Sequence, residues 1–271
     1  MSRVITLTTD FGLRDPFVGI MKGVILSICP TASLVDLTHD LEPLDILGGC
    51  LALEAAVPFF PAGTVHLVVV DPGVGSARRA IALRVGGGYL VGPDNGVLTG
   101  ALTPALERSG WTAVALTAPE YRLPAVSRTF HGRDIFAPAA AYLAAGVPLE
   151  RLGPAVTDPV RLSLPGCRFE GDALMGEVLA ADRFGNLITS IPAAALETMP
   201  GPVSVEVAGV AVGGPMDCYE QGCDGEPAAI VGSTGRIEIF VKGGSARAKL
   251  GLQRGAPVRL RSAAVPETFF P

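Results

Sequence analysis

The pattern of apolar residues changes character near Leu164. Before it, unbroken apolar runs such as residues 4–9 (VITLTT) and 64–70 (TVHLVVV) alternate with stretches of helical spacing at 18–28 and 45–57. Such alternation predicts an α/β domain whose central sheet is mostly parallel and covered on both faces. After it, short strand-like runs with frequent glycine and few helix signals predict a separate all-β domain, a small barrel or sandwich. We therefore predict two domains, 1–164 and 165–271.

The net charge and the apolar runs exclude several classes of partner. The chain carries a net charge of −5, and its 21 Lys and Arg residues form no stripe, so no nucleic-acid partner is predicted. No apolar run approaches the ~18 residues that a membrane-spanning helix needs, so no membrane partner is predicted. The N-terminus enters a strand pattern directly, with no signal peptide, which predicts a cytoplasmic protein.

The composition also bears on assembly and on the thiols. Only 17% of the residues are charged and 49% are hydrophobic, which favours an apolar surface covered by another subunit. The five cysteines are odd in number and scattered, and no set of zinc-binding spacing surrounds them. Reduced thiols are the prediction.

Carboxylates follow three of the apolar runs in the first half. Asp10 follows VITLTT, Asp71 follows HLVVV, and Asp94 follows YLVG. In open α/β sheets, ligands bind beyond the carboxyl ends of the strands, so the three acids predict a site for hydroxyl groups such as those of a ribose, or for a cation. The alternative is that each acid caps the turn or helix that follows it.

The glycine-rich loop PGVGSARR (residues 72–79) follows Asp71. It has neither the G-x-G-x-x-G pattern nor the Lys-Ser/Thr pair of a phosphate loop. The next residues, AIALRV, read as a strand, so no helix N-terminus is available to bind a pyrophosphate. The loop is predicted to turn the chain sharply after Asp71 and not to bind phosphate.

Two of the three histidines lie among polar neighbours. His131 stands in SRTFHGRDIFAP, just before a predicted helix over 134–145, and it is either a structural turn residue or part of a site. His39 stands in LTHDLEPLD, near several acids, which leaves open a metal-dependent hydrolase. That cluster has no defined ligand geometry, so no metal site is predicted.

Seven stretches together match one known family. They are LTTDFGLRDPFVGIMKG, DLTHDLEPLDI, VVVDPGVGSARR, VGPDNGVL, TFHGRDIFAPAAAYLAAG, DRFGNLITSI and GSTGRIEI, in this order from residue 7 to residue 239. The chain resembles the S-adenosyl-L-methionine (SAM) hydroxide adenosyltransferases, or SAM hydrolases, which are related to the SAM-dependent fluorinase and chlorinase. The resemblance implies an N-terminal α/β domain and a C-terminal β-barrel domain.

The resemblance further implies an activity and an assembly. SAM and water would give adenosine and L-methionine, with SAM as the small-molecule substrate and no cofactor. The subunits would form a homotrimer with the sites at subunit interfaces. The family's catalytic Asp-Arg-His set corresponds to Asp71, Arg78 and His131, with Arg79 as the neighbouring candidate for the arginine.

The same resemblance assigns substrate contacts. Asp10 corresponds to the acid that holds the ribose hydroxyls. Three positions correspond to groups around the adenine: Phe184, Asn186 and, with a looser match, Tyr219. Four correspond to or could serve as groups near the methionine end: Asp15, Asp182, Ser233 and Arg236. The halogenases have an Arg after that Ser where this chain has Thr234, so Arg236 is the possible substitute for the carboxylate contact.

The residue types in these motifs suit a reaction in which water displaces methionine, a thioether, from SAM. Methionine leaves a sulfonium as a neutral group, so neither a general acid nor a metal is needed, and the difficulty lies in activating water. His131 or Asp71 is the candidate proton acceptor, and Arg78 would attract a hydroxide-like nucleophile. Two alternatives remain: a SAM-dependent halogenase, in which the resemblance places Tyr at the position of His131, and a SAM- or adenosine-binding protein without significant turnover.

Overall fold

The computed structural model describes residues 4–103, 106, 108 and 110–262. The chain divides into two compact units, and the boundary falls between Ser163 and Leu164. Among the described residues, no helix is long and apolar enough to span a bilayer. The predicted fold class is confirmed, because a layered α/β unit is followed by a closed β-barrel.

The first unit is built on a mixed sheet. Its described strands are β1 Val4–Thr9, β2 Ser33–Thr38, β3 Val65–Val69, β4 Ala80–Val85, β5 Gly88–Pro93, β6 Trp111–Ala115 and β7 Ala155–Val156. They lie in the order β2-β1-β3-β5-β4-β6-β7. Pairing is parallel from β2 to β5 and antiparallel from β5 to β7. The parallel half therefore brings the carboxyl ends of β1 and β3 to one edge.

Helices follow the strands where the apolar spacing predicts them. The α-helices with described bounds in this unit are α1 Phe17–Ile28, α2 Ile46–Ala56 and α3 Ala137–Ala144, and a π-helix, Gly132–Phe136, precedes α3. Short 3₁₀ helices cover Val57–Phe59, Val97–Ala101, Pro119–Tyr121 and Leu149–Leu152. In α1, Val18, Met21 and Ile25 are buried at helical spacing, and the helix ends before Pro30.

Both faces of this sheet are covered, as the continuous apolar runs predict. Leu67 of β3 packs into one buried cluster together with Met21 of α1 and Phe136. Its neighbour Val68 packs into a second cluster together with Leu53 of α2. Because successive side chains of a strand point to opposite faces, an uninterrupted apolar run requires two cores.

The second unit is a barrel of seven strands with one strand added at its edge. The described strands are β8 Arg168–Glu170, β9 Ala173–Ala181, β10 Leu187–Pro192, β11 Val203–Val207, β12 Val210–Met216, β13 Pro227–Val231, β14 Arg236–Val241 and β15 Pro257–Ser262. Pairing of β10 with β9 closes the order β10-β14-β13-β12-β11-β15-β9, and β8 extends β9. The helical elements are α4 Ala246–Leu250 and 3₁₀ turns at Ala193–Thr198 and Tyr219–Gln221.

His66 of β3 is buried inside the first unit. Its Nδ1 lies 2.9 Å from the Thr6 hydroxyl, and its ring meets Phe60 edge to face. Burial lowers the pKa of His66 from 6.5 to about 4. A group whose pKa is lower in the folded state binds more protons when unfolded, so its contribution to stability is present above pH 6.5 and is lost as the pH falls toward 4.

We predict that titration of His66 lowers the free energy of unfolding by about 2 kcal/mol as the pH falls from 7 to 5. Urea unfolding of the wild type and of His66→Asn at both pH values measures this contribution, because the asparagine keeps a hydrogen-bonding atom near Thr6 but does not titrate. Equal losses in the two proteins would show that His66 is not the titrating group.

Candidate active site

A pocket of ≈ 300 Å³ opens at the edge of the sheet where β1 and β3 end. Its polar lining includes Asp10, which follows β1, Asp71, which follows β3, and His131. Its apolar lining includes three phenylalanines that meet edge to face: Phe11, Phe17 and Phe130. A concave pocket with a few convergent polar groups suits a ligand with both polar and aromatic parts.

Asp71, Arg78 and His131 form one hydrogen-bonded group. Arg78 donates from Nε to Asp71 Oδ1 at 2.9 Å and from Nη2 to Asp71 Oδ2, and Nη2 also lies 2.7 Å from His131 Nδ1. The side chains of Arg78 and Asp71 are only 10% and 5% exposed. Asp71 and His131 line the pocket, and Arg78 joins them, with its guanidinium 5.3 Å from the Phe136 ring centroid.

The contact with Arg78 determines the form of His131. A guanidinium has only donors, so Nδ1 of His131 accepts and the ring proton of the neutral imidazole lies on Nε2. Burial lowers the pKa of His131, and the charge of Arg78 lowers it further. The charge of Asp71 and a hydrogen bond with the Ser127 backbone act in the opposite direction. His131 is therefore neutral at pH 7.

Arg79 has a different environment. It donates from Nε to Asp94 at 2.6 Å and from Nη1 to Asp158 at 2.7 Å. Asp94 also accepts a bond from the backbone of Val160, so these contacts fix residues 158–160. Of the three acids at strand ends, Asp10 and Asp71 line the pocket, whereas Asp94 pairs with Arg79 and accepts from the distant Val160 backbone.

Gly75 lets the loop after Asp71 approach the loop before His131. Its φ is +76°, a conformation that favours glycine, and an added Cβ would lie 2.2 Å from the carbonyl oxygen of Arg128. The two loops carry Arg78 and His131, respectively. The glycines of PGVGSARR therefore serve a close approach between loops.

We predict that Gly75→Ala lowers kcat for a reaction at this pocket by up to about 10²-fold, because the added methyl group displaces one loop from the other. Gly146→Ala is the matched control: Gly146 also has a positive φ, +96°, but an added Cβ there meets nothing within 4 Å. Steady-state kinetics gives kcat for both variants, and thermal unfolding shows whether each one remains folded. Equal kcat values would contradict the role given to Gly75.

The segment around His131 is held by Asp134 and a π-helix. Asp134 is fully buried, and its Oδ2 accepts from the backbone N–H of Ser127 at 2.8 Å. The predicted helix over 134–145 begins instead as the π-helix, where the N–H of Ala137 bonds to the carbonyl of Gly132. Pro138 has no N–H to donate, and the carbonyl of Asp134 accepts instead from Leu123 at 2.9 Å.

Asp10 and Asp15, the two acids of this unit that are predicted to bind substrate, lie in different environments. Asp10 lies in the pocket, and its Oδ2 accepts from the backbone N–H of Leu44 at 2.7 Å. Asp15 is exposed in the loop before α1 and does not line the pocket. The ribose role of Asp10 and the methionine role of Asp15 stay predictions.

The turn between β9 and β10 carries three of the predicted residues. Asp182 accepts from the backbone N–H groups of Phe184 at 2.9 Å and Asn186 at 2.8 Å, and its Oδ2 accepts from Asn186 Nδ2 at 2.9 Å. Phe184 is 76% exposed, whereas Asn186 is buried. Asp182 therefore shapes the turn that presents the phenyl ring and the amide.

The remaining predicted residues lie elsewhere on the barrel. The Tyr219 hydroxyl donates to Glu238 Oε2 at 3.2 Å, and its ring packs edge to face on Phe240. Ser233 is exposed in the turn between β13 and β14. Arg236 begins β14, with Nη1 3.5 Å from the carbonyl of Ser190. The substrate roles of these residues stay predictions.

His39 is part of a hydrogen-bonded network. Its Nδ1 lies 2.9 Å from the Thr9 hydroxyl and its Nε2 lies 3.0 Å from Asp36 Oδ1, while Asp36 also pairs with Lys22. Within the described part of the chain, no three His, Cys, Asp or Glu side chains come together as a possible metal site. The prediction that the enzyme needs no metal stays a prediction.

Two kinds of site residue were missed by sequence reasoning. Phe17 and Phe130 line the pocket, and their only sequence signal is their place inside DPFVG and TFHGRD. Glu238 contacts Tyr219 from the middle of an apolar strand, RIEIFV, where an isolated acid between buried positions is a signal that could have identified it.

Comparison with known proteins accounts for both units. The family model described as the SAM hydroxide adenosyltransferase N-terminal domain matches residues 5–153, and that of the C-terminal domain matches residues 176–259. The chain belongs to the SAM hydroxide adenosyltransferase family. Its Asp71, Arg78 and His131 all lie within the segment that the N-terminal model matches.

Relatives of the chain support the assignment. A protein of Salinispora tropica named (R)-S-adenosyl-L-methionine hydrolase is 44% identical over 259 residues, which cover 94% of this chain and 97% of that protein. A fluorinase of an Actinoplanes species is 32% identical over 222 residues, 72% of this chain and 73% of that one. The crystal structure of an uncharacterized conserved protein from Thermotoga maritima superposes with a TM-score of 0.85 at 35% identity, covering 95% of this chain and 99% of that one.

Proposed function

We propose that this protein hydrolyses SAM to adenosine and L-methionine. The observation that carries the proposal is the group of Asp71, Arg78 and His131 at the wall of one pocket, in a chain 44% identical to a protein named SAM hydrolase. Asp10 lies in the same pocket and would accept hydrogen bonds from the ribose hydroxyls.

The reaction balances without a cofactor. The oxygen of water attacks C5′ of the ribose, the C5′–S bond breaks, and its electron pair returns to the sulfur. The sulfonium becomes the neutral thioether of methionine, and the proton of the attacking water is released. The protein must therefore align water with the C5′–S bond and stabilise the charge that develops on its oxygen.

Asp71 is the better candidate to contact the attacking water. Each of its carboxylate oxygens accepts one bond from Arg78 and keeps a second lone pair, and the carboxylate lines the pocket. Nδ1 of His131 accepts from Arg78, and a hydrogen bond with the Ser127 backbone also engages the ring. In this arrangement the neutral imidazole of His131 holds Arg78 in place, and Asp71 receives a hydrogen bond from water.

We also propose a homotrimer in which the sites lie at subunit interfaces. The catalytic set and Asp10 belong to the first unit, whereas Phe184, Asn186 and Tyr219 belong to the second. Leu13 and Phe184 are 77% and 76% exposed, as expected of side chains that a neighbouring subunit or a ligand covers. Analytical ultracentrifugation tests the trimer.

Product analysis tests the function. The purified protein with SAM should give adenosine and methionine in equal amounts, with and without added chloride or fluoride, and after exhaustive chelation. Formation of 5′-halo-adenosine in excess halide would assign the chain to the halogenases that its fluorinase relatives represent. Loss of activity on chelation would show that the reaction depends on a metal ion, as in the alternative of a metal-dependent hydrolase. Tight SAM binding without turnover would leave a binding protein.

A further inference from the structure

Glu238 is a buried carboxyl group on the outer face of the barrel. It lies on β14, where Ile237 and Ile239 point into the barrel core and Glu238 points to the other side with Phe240. The residue is only 5% exposed. An added Cβ at Gly232 would lie 1.8 Å from Glu238 Oε1, so this oxygen lies against the backbone of the turn that precedes Ser233.

The carboxyl group has one protein partner among the described residues. The Tyr219 hydroxyl donates to Oε2 at 3.2 Å, and no hydrogen bond or cationic side chain reaches Oε1. A carboxyl oxygen of a largely buried residue needs a hydrogen-bond donor, and where the protein supplies none, water or a ligand supplies it. Burial raises the pKa of Glu238, and the charge of Asp182 raises it further.

Neighbouring residues indicate what kind of ligand fits. Asp182 acts on Glu238 electrostatically, but the oxygens of Asp182 are engaged by its own turn. Asp182 Oδ1 accepts two hydrogen bonds within that turn and Oδ2 accepts one, whereas Glu238 Oε1 accepts none from a described residue, so Oε1 is the least engaged oxygen of the two acids. Tyr219 contacts Glu238, Phe184 lies in the turn that Asp182 shapes, and both exposed aromatic rings can stack on a purine.

We propose that Glu238 is a further substrate-binding residue, whose Oε1 accepts a hydrogen bond from an N–H group of SAM while Tyr219 holds Oε2. This inference rests on the proposed function. SAM carries such donors at two places, the ammonium of its methionyl part and the exocyclic amine of its adenine. Adenosine retains only the amine and methionine retains only the ammonium, so the two products separate the two sources.

The test compares Glu238→Gln with Glu197→Gln, an exposed glutamate of the same barrel. We expect Glu238→Gln to raise KM for SAM by about 10- to 100-fold with kcat changed much less, because the amide turns a donor toward the substrate N–H. Calorimetric titration should show weaker binding of adenosine if the adenine amine is the donor, or of methionine if the ammonium is. Glu197→Gln should leave each value unchanged.

Further variants keep the proposal falsifiable. If Glu238→Gln does not fold, Glu238→Asp keeps the charge, withdraws the oxygen, and should raise KM in the same way. An unchanged KM overturns the proposal. So does a Tyr219→Phe variant that reproduces the whole effect with no addition in the double variant, because Glu238 would then act only through Tyr219. Absence of SAM turnover by the wild type would contradict the proposed function itself, which distinguishes that failure from an unchanged KM in the variant.

Discussion

Replacing His131 by Ala should lower kcat for SAM hydrolysis by about 10²–10⁴-fold, with KM for SAM little changed. The imidazole accepts from Nη2 of Arg78, the same nitrogen that donates to Asp71, so its loss frees the guanidinium that contacts both groups. Rapid-quench or steady-state assays of adenosine release measure kcat, and calorimetry with SAM measures binding. Retained SAM binding together with lost turnover identifies an enzyme and not a SAM-binding protein.

His131→Asn separates two roles for the same side chain. The amide oxygen of asparagine can take the place of Nδ1 and accept from Arg78, but it cannot take up a proton at neutral pH. If His131 holds Arg78, as we propose, His131→Asn keeps substantially more activity than His131→Ala. If His131 is the general base, the two variants are equally impaired.

The pH dependence follows from the lowered pKa of His131. Burial and the charge of Arg78 keep the ring neutral at pH 7 and move its protonation below pH 6.5. Activity should therefore be constant around pH 7 and fall on the acid side only below pH 6.5, as protonation removes the acceptor for Arg78. A profile of kcat for the wild type and His131→Asn checks this, since the variant should lack that acid limb.

Arg78→Lys should lower kcat by about 10²–10³-fold. The guanidinium donates to both oxygens of Asp71 and to His131 at once, and a lysine ammonium cannot reproduce that planar set of bonds. Asp71 and His131 would then lose their common partner within a buried group. Steady-state kinetics and thermal unfolding together separate loss of activity from loss of fold.

Arg79→Lys is the matched control for Arg78→Lys. Arg79 pairs with Asp94 and Asp158, outside the pocket, so its substitution should lower thermal stability and leave kcat within a few-fold of the wild type. If Arg79→Lys lost as much activity as Arg78→Lys, the assignment of the catalytic arginine would be wrong.

The arrangement of elements was predictable because local rules determine it. A short run of β-branched and apolar residues such as LVVV is typical of a strand covered on both sides, and its end at Asp71-Pro72-Gly73 is a change of residue type. The same reasoning located β1, α1, α2 and the strands of the barrel. Sequence reasoning missed the π-helix before α3. There the carbonyl of Asp134 accepts from the backbone N–H of Leu123, which lies outside the helix and is not part of its residue pattern.

The sequence by itself indicated the fold class through strand periodicity, and its motifs carried the family resemblance that implies Asp71, His131 and either Arg78 or Arg79, since both kinds of pattern are properties of neighbouring residues. Only the tertiary structure placed Arg78, and not Arg79, beside Asp71 and His131, engaged Asp182 in its own turn and left an oxygen of Glu238 without a hydrogen bond from a described residue. The choice between the two arginines depends on contacts between side chains 15 to 79 residues apart, namely Arg78 with His131 and Arg79 with Asp94 and Asp158. Such contacts form only when the loops that carry the residues pack together.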